Sequence, residues 1–209
     1  MKLIICLTIS VLMLFCVPVF AADCEIALFG PHGVFENEGG YQNYKNDSGN
    51  FIKGKNCGGT KYGLSCRSYP KLNMKTLTKA QAAKIYHDDQ WAAIKGDDIK
   101  SQALARELLD LAVNMGTGSA IILLERTVND LNGSDPDLPL VSHVQRSTID
   151  WINRYTATER LLTGEADRTQ RKLFYRTLIL FAQQRYNTIA ANPKQRQWLY
   201  TWSTRLIHL

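Results

Sequence analysis

Apolar residues recur at helical spacing through most of the chain beyond position 76. Thr78 begins a capping box with the glutamine three residues later, an arrangement in which both side chains satisfy backbone donors at a helix start. A second helix is predicted from Asp98 and a third from Ser119, each with an apolar residue every three or four positions. Gly116 and Gly118 stand between these helices and are predicted to end the first of them.

The C-terminal part of the chain shows the same kind of pattern. Ser142 begins a second capping box, and a long helical pattern extends over residues 158–191. Asn192 followed by Pro193 is typical of an N-cap and a first helical position, so a last helix is predicted to begin there. A turn-rich segment at residues 134–139 precedes these helices and is predicted to be a linker.

Residues 39–70 lack a sustained period of either kind and are rich in Gly, Asn, Lys and Tyr. A short β-hairpin is predicted around residues 60–65, and the remainder of this stretch is expected to be loop. The chain is therefore expected to be mainly α, with a small β-hairpin and loop region near its N-terminal end.

The first 22 residues differ from the rest of the chain. Lys2 is followed by an uncharged, mostly apolar run that ends with Ala21 and Ala22. This pattern predicts a secretory signal peptide over residues 1–22, cleaved near Ala21/Ala22. A retained membrane anchor is the alternative, because about 20 apolar residues can span a bilayer. Pro18 and the small residues favour cleavage, so we expect a periplasmic or secreted protein without a permanent membrane anchor.

Three cysteines remain after such cleavage: Cys24, Cys57 and Cys66. An oxidising compartment permits disulfides, and three cysteines allow three single pairings. Cys57–Cys66 is favoured, since it would close a glycine-rich loop. The four histidines show no metal-binding spacing with these cysteines, and neither CxxC nor HExxH occurs, so no metal and no cofactor are expected. A cysteine peptidase is the weakest hypothesis, because nothing in the spacing places a free thiol beside a histidine.

Charge is unevenly distributed along the 209 residues, whose formal net charge is +6. Residues 139–209 carry a net charge of +7, whereas residues 22–138 carry −2. Such a basic half favours a polyanionic partner, although arginine-rich helices can simply be solvated. Export makes nucleic acid an unlikely target, whereas an anionic cell-wall polymer is met outside the membrane.

A candidate catalytic motif begins at Glu38, which Gly39 and Gly40 follow directly. An acid followed by two glycines stands at the end of a helical turn, where the backbone leaves room for a ligand. Apolar residues ahead of Glu38 would partly desolvate it, which favours the protonated form that a general acid needs. Asp47 follows after eight residues, and paired carboxylates across a cleft are the groups that cleave a glycosidic bond.

These residues resemble glycoside hydrolase family 108, whose pattern is EGGY, then Asp-x-Gly, then GG-x-T-x-Y-G-[IL]. The matching segments here are residues 38–41, 47–49 and 58–64, and residues 110–116 are similar to the family's D-x-A-V-N-x-G. Residues in the C-terminal half resemble the helical peptidoglycan-binding domain that accompanies these enzymes, including a Trp-x-x-Arg at Trp202 and Arg205.

The resemblance implies a lysozyme-like N-acetylmuramidase that cuts the β-1,4 bond of peptidoglycan. A catalytic domain is expected over residues 23–117 and a helical peptidoglycan-binding domain over residues 118–209. Glu38 is the expected proton donor, with Asp47 as the second catalytic residue. The expected substrate contacts are Gly39, Tyr41, Thr60, Tyr62 and Asn114. The chain departs from the family pattern by an insertion at residues 51–57, which alters the surroundings of Asp47.

Two other functions are compatible with these motifs. The protein could be a non-catalytic wall-binding or secretion-accessory protein, because family members have been described as secretion activators; a secretion system or another anionic wall polymer would then be a partner. It could also be a phage-derived endolysin whose N-terminal segment holds it at the membrane before release.

Overall fold

The computed structural model describes residues 21–133, 137–156, 165–193 and 195–206. The helices are α1 (Cys24–Phe29), α2 (Val34–Asn37), α3 (Lys79–Tyr86), α4 (Gln102–Met115), α5 (Thr117–Leu131), α6 (Arg146–Thr156), α7 (Glu165–Ala190) and α8 (Leu199–Arg205). The strands are β1 (Phe51–Ile52), β2 (Lys55–Asn56), β3 (Thr60–Lys61) and β4 (Leu64–Ser65). The expectation of a mainly α fold with a small β region is confirmed.

The β region consists of two antiparallel hairpins rather than one. The hairpin predicted at residues 60–65 is present, with Thr60 opposite Ser65. The hairpin of β1 and β2 was not predicted, because only two residues on each side are paired. Its turn residues Lys53 and Gly54 both have positive φ, 48° and 78°, which is the backbone that a tight two-residue hairpin turn needs. This hairpin is formed by the inserted segment.

The predicted start of α3 is confirmed, and the starts of the next two helices differ from the predictions. Thr78 caps α3 through both bonds of a capping box. The prediction of a helix from Asp98 is wrong, because the hydroxyl of Ser101 accepts a hydrogen bond from the amide of Leu104 and caps α4 three residues later. The break before α5 lies at Gly116, whose φ of 87° favours glycine, whereas Gly118 lies inside α5 and ends nothing.

The predicted starts of two helices in the C-terminal part are also wrong. The expected capping box at Ser142 does not form, and α6 begins at Arg146. The side chain of Gln145 instead donates hydrogen bonds to Glu125 and to the carbonyl of Pro139. Residues 192 and 193 lie in a turn, and a 3₁₀ segment, Arg196–Trp198, leads into α8. The long helix is present as α7, while residues 157–164 lie outside the described part.

A continuous apolar core joins the helices from α1 to α8. Helix α4 packs against α1 and α5, α5 packs against α7, and α7 packs against α8. The completely buried side chains of this core include Leu104, Leu109, Leu124, Ile152, Phe174 and Leu178. Burial of about 25 cal/mol per Å² of apolar surface makes such a core the main source of stability. The core includes residues from both predicted domains, and their boundary at residue 117 stays a prediction.

Most of the predicted signal peptide, residues 1–20, lies outside the described residues. At the start of the described chain, Ala22 is buried, and its amide donates a hydrogen bond of 2.7 Å to the carbonyl of Ile99. None of the described helices is long and apolar enough to cross a membrane.

The cysteines pair as predicted. Cys57 and Cys66 form a disulfide that joins the end of the inserted hairpin to the end of β4, with 5.7 Å between their Cα atoms. Cys24 is free and half-buried, and burial raises the pKa of its thiol to about 12. A thiol that keeps its proton at neutral pH is a poor nucleophile, which argues against the cysteine peptidase hypothesis.

Candidate active site at the end of helix α2

Glu38 is the residue at which the short helix α2 ends. Val34 and Phe35 bury the apolar side of this helix, and the ring of Phe35 packs edge-on against the rings of Tyr62 and Tyr86. Glu38 itself has an extended backbone, with φ −91° and ψ 120°, which turns its side chain away from the helix axis. Only 11% of this side chain is exposed. The local sequence therefore places a carboxyl group at the edge of the core.

The carboxyl of Glu38 is paired with a cation from the other end of the chain. Arg205 is the last residue of α8. Its Nη1 atom lies 3.1 Å from Glu38 Oε1. The same nitrogen lies 3.4 Å from Asp110 Oδ1 and 2.7 Å from the side-chain oxygen of Asn114, both on α4. The side chains of Arg205 and Asp110 are 11% and 10% exposed. One guanidinium thus serves two carboxylates and an amide in nearly buried surroundings.

The turn between β3 and β4 lies beside the other carboxyl oxygen of Glu38, Oε2. Tyr62 and Gly63 form this turn with φ values of 51° and 76°. The amide of Tyr62 donates to the carbonyl of Gly39 over 3.0 Å, and the hydroxyl of Tyr86 donates to the carbonyl of Tyr62 over 2.7 Å. A Cβ atom on Gly63 would collide with Glu38 Oε2 and with the hydroxyl of Tyr86. Glycine at this position therefore leaves room for the carboxyl group.

Further titratable groups surround this cluster. Burial raises the pKa of Asp110 to about 6, against the opposing effect of Arg205. Burial also raises the pKa of Glu107, one turn away on α4, to about 8, and no hydrogen-bond partner among the described residues reaches its Oε1 atom. The pKa values of Tyr86 and Tyr186 are raised by burial, so both hydroxyls stay neutral. Within the described residues, no group of His, Cys, Asp and Glu could hold a metal ion.

Asp47 belongs to a second cluster, in the loop before β1. Its Oδ1 atom accepts a hydrogen bond of 2.8 Å from the amide of Gly49, and its Oδ2 atom accepts one from the side chain of Gln42. The buried side chain of Asn50 donates to Gln42 over 2.9 Å and accepts from the hydroxyl of Thr60 over 2.8 Å. The structure therefore brings Asp47 and Thr60 into one network of neutral donors, and in this network Asp47 caps a turn.

The remaining predicted contacts divide between the two clusters. Tyr62 and Asn114 lie in the Glu38 cluster, where Asn114 binds both Asp110 and Arg205. Gly39 is exposed with open space around its Cα atom. Tyr41 is 38% exposed, and its ring lies against Gly59.

The sequence analysis did not identify Asp110 and Arg205 as site residues. Asp110 begins the D-x-A-V-N-x-G pattern and Arg205 ends the Trp-x-x-Arg pattern. Their positions along the chain do not indicate that the two side chains meet in the fold.

A basic groove of about 1120 Å³ lies beside the Asp47 loop. Lys45, Lys53 and Arg67 line it and are exposed, and none of the described residues that line it is acidic. Pro193 and Gln197 close it from the segment before α8. The inserted hairpin supplies Phe51 and Ile52 to its wall. Positive charge without a compensating carboxylate suits this groove to anionic groups on a ligand.

Residues 32–116 match the model of the family described as Glycosyl hydrolase 108. This segment contains Glu38, Asp47 and Asp110, whereas Arg205 lies outside it. The solved structure of Brucella abortus SagA is similar over 83% of this chain and 84% of that chain, with 21% sequence identity and a TM-score of 0.56. This likeness shows a shared fold. No curated protein sequence matches the chain.

Proposed function

We propose that the protein is an exported N-acetylmuramidase that cleaves the β-1,4 bonds of peptidoglycan, and the match of residues 32–116 to the model of glycosyl hydrolase family 108 supports this proposal. The observation that carries the proposal is the placement of Glu38. This residue is the glutamate of the family's EGGY pattern, and it lies at the edge of the core with a small exposed fraction. A carboxyl group with this placement is the candidate proton donor for general acid catalysis.

In the proposed reaction, the glycan strand lies across the loop region between Gly39 and Thr60. Glu38 in its protonated form donates its proton to the glycosidic oxygen as the sugar on the other side of the bond develops oxocarbenium character. Asp47 then orients a water that forms the new bond to the anomeric carbon, and it accepts the proton that this water loses. One lone pair on each of its oxygens is free beyond the bonds to Gly49 and Gln42.

The charge of the neighbouring groove supports peptidoglycan as the substrate. Glycan strands of the wall carry peptide stems with free carboxylates, and Lys45, Lys53 and Arg67 present three cations next to the Asp47 loop. The signal-peptide pattern of residues 1–22 supports action in the periplasm or outside the cell. Neither the family match nor the fold supports a secretion-system partner, so peptidoglycan is the only partner proposed.

Glu38→Gln tests this function directly, because the amide keeps the shape of the carboxyl and cannot donate the proton. We expect the release of reducing ends from purified sacculi to fall about 1000-fold. Mass spectrometry of the released muropeptides should place N-acetylmuramic acid at the new reducing ends.

Glu36→Gln is the matched control. Glu36 lies on the same short helix, with 56% of its side chain exposed, and this variant should retain full activity. A Glu38→Gln protein as active as the wild type would remove Glu38 from catalysis. If the wild type binds sacculi but releases no reducing ends, the proposed hydrolase function is wrong and wall binding is the function indicated.

A further inference from the structure

The contact between Arg205 and Glu38 joins residues 167 positions apart. Arg205 comes from the part of the chain that the sequence assigned to a separate wall-binding domain. It is the last residue of α8, and α8 packs against α7, which in turn packs against α5. A side chain from the C-terminal end thus reaches the proposed general acid through the fold of the entire chain.

The burial of this contact separates it from an ordinary surface ion pair. The exposed Lys84–Asp88 and Arg146–Asp150 pairs have side chains at least 49% exposed, and such pairs contribute little. The side chains of Arg205, Glu38 and Asp110 are each about one-tenth exposed. Charges at this depth are costly to leave without a partner, so the orientation of each group is strongly constrained.

We propose that Arg205 is a positioning residue of the catalytic site, which fixes the carboxyl of Glu38 through Oε1 and leaves Oε2 to carry the proton. Arg205 binds Oε1, whereas Oε2 lies beside Gly63. A carboxyl that is held through one oxygen cannot rotate freely, and the proton is presented in one direction. This inference rests on the function proposed above for Glu38.

Asp110 and Asn114 share the guanidinium of Arg205 with Glu38. A guanidinium paired with Glu38 alone would favour the ionised carboxylate. Here the same nitrogen also serves Asp110 and makes its shortest bond to Asn114, so its charge is shared. The titratable groups that face the pair are Asp110 and Glu107 from α4, Tyr86 from α3 and Tyr186 from α7.

The test compares Arg205→Gln and Arg205→Lys with Arg196→Gln, an exposed arginine in the 3₁₀ segment before α8. Activity on purified sacculi is measured as kcat and KM across pH, and thermal unfolding of each protein checks that it is folded. For Arg205→Gln we expect kcat about 100-fold lower with KM little changed, since misplacing a reacting group by about 1 Å has such an effect. The high-pH limb of its rate profile should move upward by about one pH unit, because a nearby positive charge is lost.

Arg205→Lys should recover part of kcat and return the high-pH limb towards the wild type, because lysine keeps the charge but not the fork geometry. Arg196→Gln should match the wild type. Wild-type kcat and an unchanged pH profile in Arg205→Gln would overturn the inference. If Arg205→Gln does not fold, the folded lysine variant decides: a kcat equal to that of the wild type would overturn it.

The same experiment separates this inference from the proposed function. An inactive Glu38→Gln protein beside fully active Arg205 variants would contradict only the positioning role. A wild type without activity on sacculi, or a fully active Glu38→Gln protein, would contradict the proposed function itself.

Discussion

Glu38 and Asp47 are separated by only eight residues, yet different kinds of interaction hold them. Glu38 contacts a charged group that arrives from the far end of the chain, in surroundings that exclude most water. Asp47 accepts hydrogen bonds from Gly49 and Gln42, which lie within five positions of it, and it meets no cation in the described structure. The surroundings of Glu38 therefore depend on the complete fold, while those of Asp47 depend on one loop.

This difference indicates a division of roles between the two acids. A carboxyl in a nearly dry, charged cluster responds strongly to each neighbouring charge, as a proton donor must. Asp47, held by the amide of Gly49 and the side chain of Gln42, is arranged as the proposed water-orienting group would be. The disulfide ties the inserted hairpin, which follows Asp47, to the end of β4.

Among the variants that test this division of roles, Asp47→Asn is expected to have the largest effect. Asparagine is also a good N-cap, so the turn should keep its stability while the negative charge is lost. We expect kcat on sacculi to fall about 100- to 1000-fold, because an amide is a poor base for water. Asp23→Asn is the matched control, since Asp23 caps α1 through two backbone amides. Unchanged kcat in Asp47→Asn would reduce Asp47 to a turn cap.

A second effect, of about 100-fold in kcat, is expected for Gly63→Ala. The added methyl group collides with Glu38 Oε2 and displaces the carboxyl, whereas nothing near Asp47 changes. Gly133→Ala provides the control, because its φ of 67° lies in the same left-handed region as the 76° of Gly63 while open space surrounds it. Both variants should lose about 1 kcal/mol of stability from backbone strain. Equal kcat for the two variants would show that the space beside Glu38 is not needed.

The smallest effect concerns stability and the buried charges of the Glu38 cluster. The pKa of Glu107 is about 8 in the folded protein against an ordinary value of 4.5. As the pH rises from about 5 to 8, the unfolded chain loses this proton first, so folding stability falls by on the order of 1 kcal/mol per pH unit. Asp110 adds in the same direction up to about pH 6.

Glu107→Gln cannot ionise, and it should reduce this pH dependence while leaving stability near pH 5 unchanged. Urea unfolding midpoints at pH 5 and pH 8 measure the slope, and the exposed Glu25→Gln serves as the comparison. If the midpoints of Glu107→Gln and the wild type shift in parallel between these pH values, Glu107 does not hold its proton in the folded protein.

The sequence predicted the helices best where both periodicity and a cap were present. Thr78 marked the start of α3 because its capping box is a local arrangement of four residues. Ser142 resembled the same motif, but Gln145 binds Glu125 and Pro139, partners that no local pattern reveals. The β1–β2 hairpin escaped prediction because two residues are too few to show an alternating pattern.

For the candidate site, the sequence indicated Glu38 and some of its neighbours but did not indicate Arg205 or Asp110. The motif around Glu38 is contiguous, so its carboxyl and its glycines could be recognised together. Arg205 and Asp110 become neighbours only after α8 packs on α7 and α4 packs on α5. Long-range contacts of this kind are set by tertiary packing, and single-sequence periodicity carries no information about them.

The distance along the chain between Glu38 and Arg205 also bears on when the enzyme becomes competent. Closing so long a loop carries a large entropic cost, which favours forming this contact after nearer parts of the chain have packed. A polypeptide emerging from the ribosome presents Glu38 and Asp110 long before position 205 arrives. If Arg205 orients the acid as proposed, unfinished chains are poor hydrolases, and the ability to damage a cell wall is acquired only with the final helix.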